Sequence, residues 1–173
     1  MTSSYLFENI QILEGSNSSL KKETVFIKDG VIKAFGKKAF KNAELLQIKP
    51  EKTKNLLLAP CLVDPHSFLE SPFSGREENI YTLIKKATYA GYGQLGILPK
   101  SNLWRDQIES IVSLKTVKSE VLIHMWGGFS LKGKGIALSK HADLLQNGAI
   151  GLADDDFTPP IDLLKKGFLL REM

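Results

Sequence analysis

The sequence has 173 residues, which is enough for one domain, or for a small domain with part of another. Its 43% hydrophobic and 24% charged residues are typical of a soluble globular protein, and no apolar run approaches the ~18–20 residues that span a bilayer. The net charge of +4 does not predict nucleic-acid binding, because the lysines are scattered and only three of the 23 basic residues are arginine.

The single cysteine and the N-terminus indicate the compartment. Cys61 alone excludes an internal disulfide and fits a reducing cytosol, where we expect it to be a small buried residue. The first 15 residues lack a basic segment followed by an apolar one, so no secretory signal is predicted. These features predict a cytoplasmic protein without a membrane partner.

The chain up to about residue 58 predicts β-structure. A strand is expected at residues 5–13, followed by two runs of β-branched and aromatic residues on either side of Asp29-Gly30. Asp-Gly between such runs is a strong signal for a two-residue hairpin turn. Residues 49–55 are polar and predict a connection to the apolar run that follows.

From residue 57 onward the pattern changes to alternating strands and helices. We expect strands at 57–63, 94–98, 121–126 and 149–153, and helices at 77–90, 104–114, 139–146 and 160–171. This alternation predicts a parallel sheet with helices outside it. Four such units are half of the eight that make a TIM barrel.

Two polar clusters follow predicted strands. Asp64-Pro65-His66 ends the first apolar run, and His66 is either a metal ligand or a hydrogen-bonded structural histidine. The residues 154–156, all aspartate, follow the strand at 149–153 and form either a metal-binding position or a turn with a helix cap. His124 is expected in the packed core, and His141 in solvent on the first turn of a helix.

Several segments carry a resemblance to a known family. LLLAPCLVDPH, GYGQLGILPKS and NGAIGLADDD resemble the first, second and fourth barrel strands of dihydroorotases, in the amidohydrolase superfamily. WGGFSLKGKG followed by HADLLQNGAIGLADD is most similar to divergent cyanobacterial dihydroorotase-like proteins. The resemblance implies an α/β fold in which residues 1–56 form part of an N-terminal β-sandwich and residues 57–173 form the first half of a metal-dependent-hydrolase barrel.

The resemblance also implies a zinc site, but an incomplete one. His66 matches the first ligand of the family's His-x-His, and Phe68 stands where the second histidine is expected. Asp154, or alternatively Asp155, matches the metal-binding aspartate of the fourth strand. The family's later histidines and its general base would lie beyond Met173. A catalytic zinc takes about three protein ligands, so weak or absent zinc binding is expected.

The positions that bind the substrate in the family are altered as well. Glu70 replaces an arginine and Lys100 replaces an asparagine, both of which contact the substrate carboxylate in the family. A glutamate there would place like charges together, which costs several kcal/mol, and a lysine lacks the geometry of an arginine fork. No residue is therefore assigned a catalytic role from the sequence.

These observations lead to one expected function and two alternatives. The first is a dihydroorotase-like cyclic amidohydrolase of pyrimidine biosynthesis, interconverting N-carbamoyl-aspartate and dihydroorotate, and catalytically impaired as it stands. The second is a non-catalytic homologue that acts as a scaffold for a pathway enzyme such as aspartate carbamoyltransferase. The third is a truncated or split-gene product without independent activity. The expected partners are a polypeptide carrying the C-terminal half-barrel, a second copy of the chain, or aspartate carbamoyltransferase.

Overall fold

A computed structural model of the protein describes residues 3–14, 20–69, 78–99, 105–154 and 158–170. The chain divides into two compact units, with the division after Pro60. One unit is built on a mixed sheet and the other on a parallel sheet with helices, so the protein is α/β. None of the helices in the described residues is long and apolar enough to cross a membrane.

The first unit contains a five-stranded mixed sheet. Its strands are β1 (Ser4–Ile12), β2 (Lys21–Lys28), β3 (Val31–Phe35), β4 (Pro50–Glu51) and β5 (Leu57–Leu58). β2 lies antiparallel between β3 and β1, and both β4 and β5 pair parallel with β1. Asp29 and Gly30 connect β2 to β3 with φ values of 53° and 74°, which confirms the predicted hairpin.

A helix that the sequence analysis did not predict follows this hairpin. Helix α1 (Gly36–Leu45) buries Ala39 and Ala43 against Leu6, Phe26 and Ala34. The β-structure expected up to about residue 58 is therefore interrupted by a helix. The sequence does not indicate α1 clearly, because few of its residues are apolar and the helix buries only two small side chains.

The second unit is a four-stranded parallel sheet in chain order. β6 (Leu62–Ser67), β7 (Tyr92–Ile97), β8 (Leu122–Gly128) and β9 (Ala149–Ala153) lie side by side. Helices α2 (Ile80–Tyr89), α3 (Ile108–Lys115) and α4 (His141–Gln146) connect them, and α5 (Ile161–Leu169) follows β9. The predicted strand–helix alternation is confirmed, with helix ends differing by a few residues.

One predicted strand is divided between the two units. Residues 57–63 were expected to form a single buried strand, but β5 pairs with β1 and β6 begins at Leu62 in the parallel sheet. Ala59, Pro60 and Cys61 separate the two strands. Pro60 has no backbone N–H to donate to a ladder, which favours a break between the two strands at this point.

The helices cover one face of the parallel sheet. Ile97 and Met125 point from β7 and β8 into a core that also contains Ile80 of α2, Ile111 of α3 and Leu144 of α4. Each helix packs against the strand that follows it in the chain, α2 against β7, α3 against β8 and α4 against β9. Burial of these side chains fixes the sheet and therefore the positions of its strand ends.

Candidate functional site

The carboxyl ends of the four parallel strands lie at one edge of the sheet. The backbone N–H of Leu98 donates to the carbonyl oxygen of Ser67 across the ends of β6 and β7, at 2.9 Å. The N–H of Phe129 likewise donates to the carbonyl oxygen of Ala153, at 3.0 Å, beyond β8. Ligand and catalytic sites of parallel β/α proteins lie at this edge, so it is the candidate site.

His66 lies near the end of β6 with its side chain exposed. Its backbone N–H donates to Oδ1 of Asp64 at 3.0 Å, and the Ser67 hydroxyl donates to Oδ2 of Asp64 at 2.7 Å. The Asp64 carboxylate thus fixes the backbone at the end of β6, where the strand register shifts between Asp64 and Ser67. The imidazole itself remains available to solvent and to a ligand.

Trp126 of β8 reaches across the sheet to β6. Its indole Nε1 donates to the carbonyl oxygen of Pro65 at 2.8 Å, and its ring lies 5.9 Å from the His66 ring, with the planes inclined by 50°. Two glycines leave room for this arrangement. A Cβ at Gly96 would lie 2.5 Å from the Pro65 carbonyl oxygen, and a Cβ at Gly151 would meet the Trp126 ring.

The position expected for a second histidine holds an exposed phenyl ring. Phe68 has 46% of its surface accessible, whereas the next residue, Leu69, is buried in the core of the sheet and helices. The Phe68 ring has no lone pair to donate to a metal, so of the two expected histidine positions only that of His66 supplies a ligand atom.

Asp154, directly after β9, is hydrogen-bonded to the loop after β8. Its carboxylate accepts the backbone N–H of Ser130 at 3.0 Å and the Ser130 hydroxyl at 2.5 Å. The same hydroxyl accepts the N–H of Gly135 at 2.9 Å. The alternative of a helix cap is wrong for Asp154, because Pro160 occupies the N-cap of α5 without a side-chain cap.

The described donor atoms at this edge are too few for a catalytic metal site. His66 and Asp154 are the matching ligands that the structure describes, and no group of three His, Cys, Asp or Glu side chains able to hold a metal occurs in the described residues. Glu70, Lys100 and Asp155 lie outside those residues. Two ligands are fewer than a catalytic zinc takes, so the described side chains do not fit a catalytic zinc site.

Three other sequence expectations need correction. His124 is half-buried and pairs with Oε1 of Gln94 through Nε2, at 3.1 Å, instead of joining the apolar core. His141 does begin α4, but its Nε2 pairs with the Phe129 carbonyl oxygen at 2.8 Å, so it is held against the protein. Cys61 is exposed instead of buried, because it lies in the connection just before β6.

Sequence reasoning missed the two side chains that organise this edge, Ser130 and Trp126. Ser130 is fully buried and joins the Asp154 carboxylate to a loop, and Trp126 joins β8 to β6. Both lie in the segment WGGFSLKGKG, which served only as a mark of resemblance. A serine between glycine-rich turns was the available signal for a buried hydrogen-bonded hydroxyl.

The fold and the strand-end residues together define a parallel β/α protein with a polar site at the carboxyl edge of its sheet. No protein-family model matches the chain. Its sequence is 28% identical over 154 residues to the dihydroorotase of Elusimicrobium minutum. The aligned segment covers 87% of this chain and 35% of that protein. A dihydroorotase of Pelotomaculum thermopropionicum is 27% identical, covering 79% of this chain and 31% of the relative.

The chain is therefore dihydroorotase-like in sequence. A probable dihydroorotase-like protein of a Synechocystis strain is 28% identical over 125 residues, covering 58% of this chain and 28% of that protein. The chain spans about one third of the length of the curated relatives it matches. The resemblance to dihydroorotases that the strand-end motifs indicate is thus confirmed. It includes the similarity to cyanobacterial dihydroorotase-like proteins, through the Synechocystis relative.

Proposed function

We propose that this chain is part of a dihydroorotase-like cyclic amidohydrolase. In this proposal residues 1–56 form part of a β-sandwich and residues 57–173 form the first half of a TIM barrel. The observation that carries it is the coincidence of a dihydroorotase-like sequence with His66 and Asp154 at the carboxyl ends of the first and fourth parallel strands. Ligands from several strand ends are the usual construction of barrel active sites.

We further propose that the chain as it stands is catalytically impaired. Phe68 removes one ligand, and the two hydrogen bonds from Ser130 already occupy part of the Asp154 carboxylate. Zinc therefore enters only as an inference from the relatives' family, with His66 and Asp154 as its first candidates. The positions expected to bind the substrate are altered as well. The Glu70 carboxylate would repel the carboxylate of dihydroorotate, and Lys100 would offset this repulsion only in part.

The alternative proposal is a non-catalytic homologue acting as a scaffold. β8, β9 and α5 carry exposed apolar side chains that offer a contact surface to another polypeptide. These side chains are Leu122, Ile150, Ile161 and Phe168. Aspartate carbamoyltransferase is a candidate partner through the pathway implied by the relatives' name, and a cytoplasmic location agrees with such a role. A truncated or split-gene product would share the same surface.

Zinc content and ring opening of the purified chain test this proposal together. We expect zinc well below stoichiometric amounts and no hydrolysis of dihydroorotate above buffer. The double variant Phe68→His with Glu70→Arg should raise the zinc content modestly, because it restores one imidazole, without producing turnover. Phe68→Leu with Glu70→Gln is the matched control and should leave zinc unchanged.

Two outcomes would contradict the proposal that the chain is catalytically impaired. Stoichiometric zinc in the unmodified chain would mean that other side chains complete the site. Measurable ring opening would mean that the substrate is bound despite Glu70 and Lys100. Association with aspartate carbamoyltransferase in sedimentation, with no turnover, would select the scaffold alternative over a chain that acts alone.

A further inference from the structure

The indole of Trp126 lies across the carboxyl edge of the parallel sheet, on the face opposite the helices. Ile123 and Met125 point into the helix-covered core, so the alternation along β8 places Trp126 on the other face. At one end of the indole, Nε1 donates to the carbonyl oxygen of Pro65 on β6, two strands away. At the other end, Cζ3 and Cε3 lie against Gly151 of β9, where a Cβ would meet them. The indole therefore spans the sheet from β9 to β6.

Two neighbouring strands hold this indole in a fixed position. The indole has one N–H, and the hydrogen bond to the Pro65 carbonyl oxygen uses it. Gly96 and Gly151, on the strands that flank β8, have no side chain to compete for the space. A Cβ at either position would meet the Pro65 backbone or the indole, so the arrangement requires glycine at both. A ring that is already held loses little further freedom when a ligand stacks on it, so the indole is preorganised for such a contact.

The imidazole of His66 stands beside the indole. The two ring centres are 5.9 Å apart, the planes are inclined by 50°, and the His66 side chain is exposed. Because the planes are not parallel, the imidazole does not stack on the indole, and the half-buried Trp126 retains ring surface for another planar group. The pair therefore offers one aromatic face with a second aromatic ring at its side.

A polar pair lies next to the indole on the same face of the sheet. His124 precedes Trp126 by two residues on β8, about 7 Å along the strand, and its Nε2 pairs with Oε1 of Gln94 at 3.1 Å. This pairing leaves the amide NH₂ group of Gln94 able to donate a hydrogen bond. A planar heterocycle has carbonyl and N–H groups around its edge. An aromatic face with an amide donor nearby therefore suits such a ring better than it suits an aliphatic chain.

We infer that Trp126 and His66 form a stacking site for a planar heterocyclic ring of the pyrimidine class. The indole supplies the face on which the ring stacks, the imidazole flanks the ring, and the Gln94 amide donates to a carbonyl oxygen at the ring's edge. Stacking of a base on an aromatic side chain raises affinity about 5–150-fold. These residues lie on β6, β7 and β8, at the edge where parallel β/α proteins bind ligands. The pyrimidine class rests on the proposed function, whereas the stacking site rests on the geometry of the two rings.

An NMR titration of the full chain, with a chelator present to keep His66 free of metal, tests this site. The background is Trp104→Phe, which leaves Trp126 as the only tryptophan, so one indole N–H resonance reports on it. Uracil should shift this resonance. Dihydrouracil has the same edge groups on a saturated, puckered ring, and should bind about 5-fold more weakly or worse, because it cannot stack flat.

Three substitutions locate the binding, with affinity read from the backbone amide resonances. Trp126→Leu should weaken uracil binding about 5-fold or more, and His66→Ala, a change at an exposed side chain that should not impair folding, should weaken it about 3-fold. Tyr89→Leu removes an aromatic ring that is 96% exposed at the end of α2, and as the control it should leave the affinity unchanged.

The outcomes separate this inference from the proposed function. Equal affinities for uracil and dihydrouracil would overturn the stacking site, and so would unchanged uracil binding in both Trp126→Leu and His66→Ala. Absence of any shift with uracil and with adenine would overturn it as well. A shift with adenine and none with uracil would support the stacking site and contradict the pyrimidine class, and with it the proposed function.

Discussion

Replacing Ser130 with alanine tests whether Asp154 serves the structure of the loop after β8. The Ser130 side chain is fully buried, donates to the Asp154 carboxylate and accepts the N–H of Gly135, which is also buried. A hydrogen bond to a charged group contributes about 1.5–3 kcal/mol, and a buried N–H left without a partner costs about 1–3 kcal/mol. Because the two terms are coupled, we expect Ser130→Ala to lower the free energy of unfolding by about 3 kcal/mol.

Urea unfolding followed by circular dichroism, at one fixed protein concentration, measures this difference. Ser113→Ala is the matched control, since the Ser113 hydroxyl donates to the carbonyl oxygen of Ser110 on the exposed side of α3. Alanine is favourable in a helix, so this control should change stability by less than about 0.5 kcal/mol. A change below about 1 kcal/mol for Ser130→Ala would refute the structural role of the pair.

Two further substitutions probe the geometry of the parallel sheet. Gly96→Ala should destabilise the protein by about 1–3 kcal/mol in the same urea assay, because the new Cβ would lie 2.5 Å from the backbone oxygen of Pro65; a neutral result would contradict this close approach. Asn79→Ala should cost about 1 kcal/mol, since Asn79 and Thr82 form a reciprocal capping box at the start of α2, and Asn79→Ser should retain most of the stability.

The strand–helix alternation of the second unit could be predicted because its elements bury large side chains at regular spacing. Ile97, Met125, Ile111 and Leu144 mark both the strands and the helices that cover them. The hairpin at Asp29-Gly30 could be predicted equally well, since few other dipeptides adopt two positive φ angles without strain. These features depend on residues that are close together in the sequence, so the sequence of this one chain is enough to predict them.

The site could be predicted only in part, because its contacts join distant segments. His66 and Asp154 were found through motifs at strand ends. The bond between Ser130 and Asp154 spans 24 residues, and the bond between Trp126 and Pro65 spans 61, so neither is visible in a local pattern. Polar partners across a sheet depend on register and on the side chain's direction, both of which arise only on folding.

The pairing of β1 with β5 has a consequence for the order in which the first unit folds. β2 and β3 meet through a two-residue turn, whereas Thr53 of the connection to β5 reaches Glu8 of β1 across 45 residues. Loop-closure entropy grows with the logarithm of loop length, so the longer closure costs about 3 kcal/mol more. The hairpin should therefore form early, and β4 and β5 should dock against β1 late. During synthesis, β1 can complete its pairing only after Leu58 has left the ribosome.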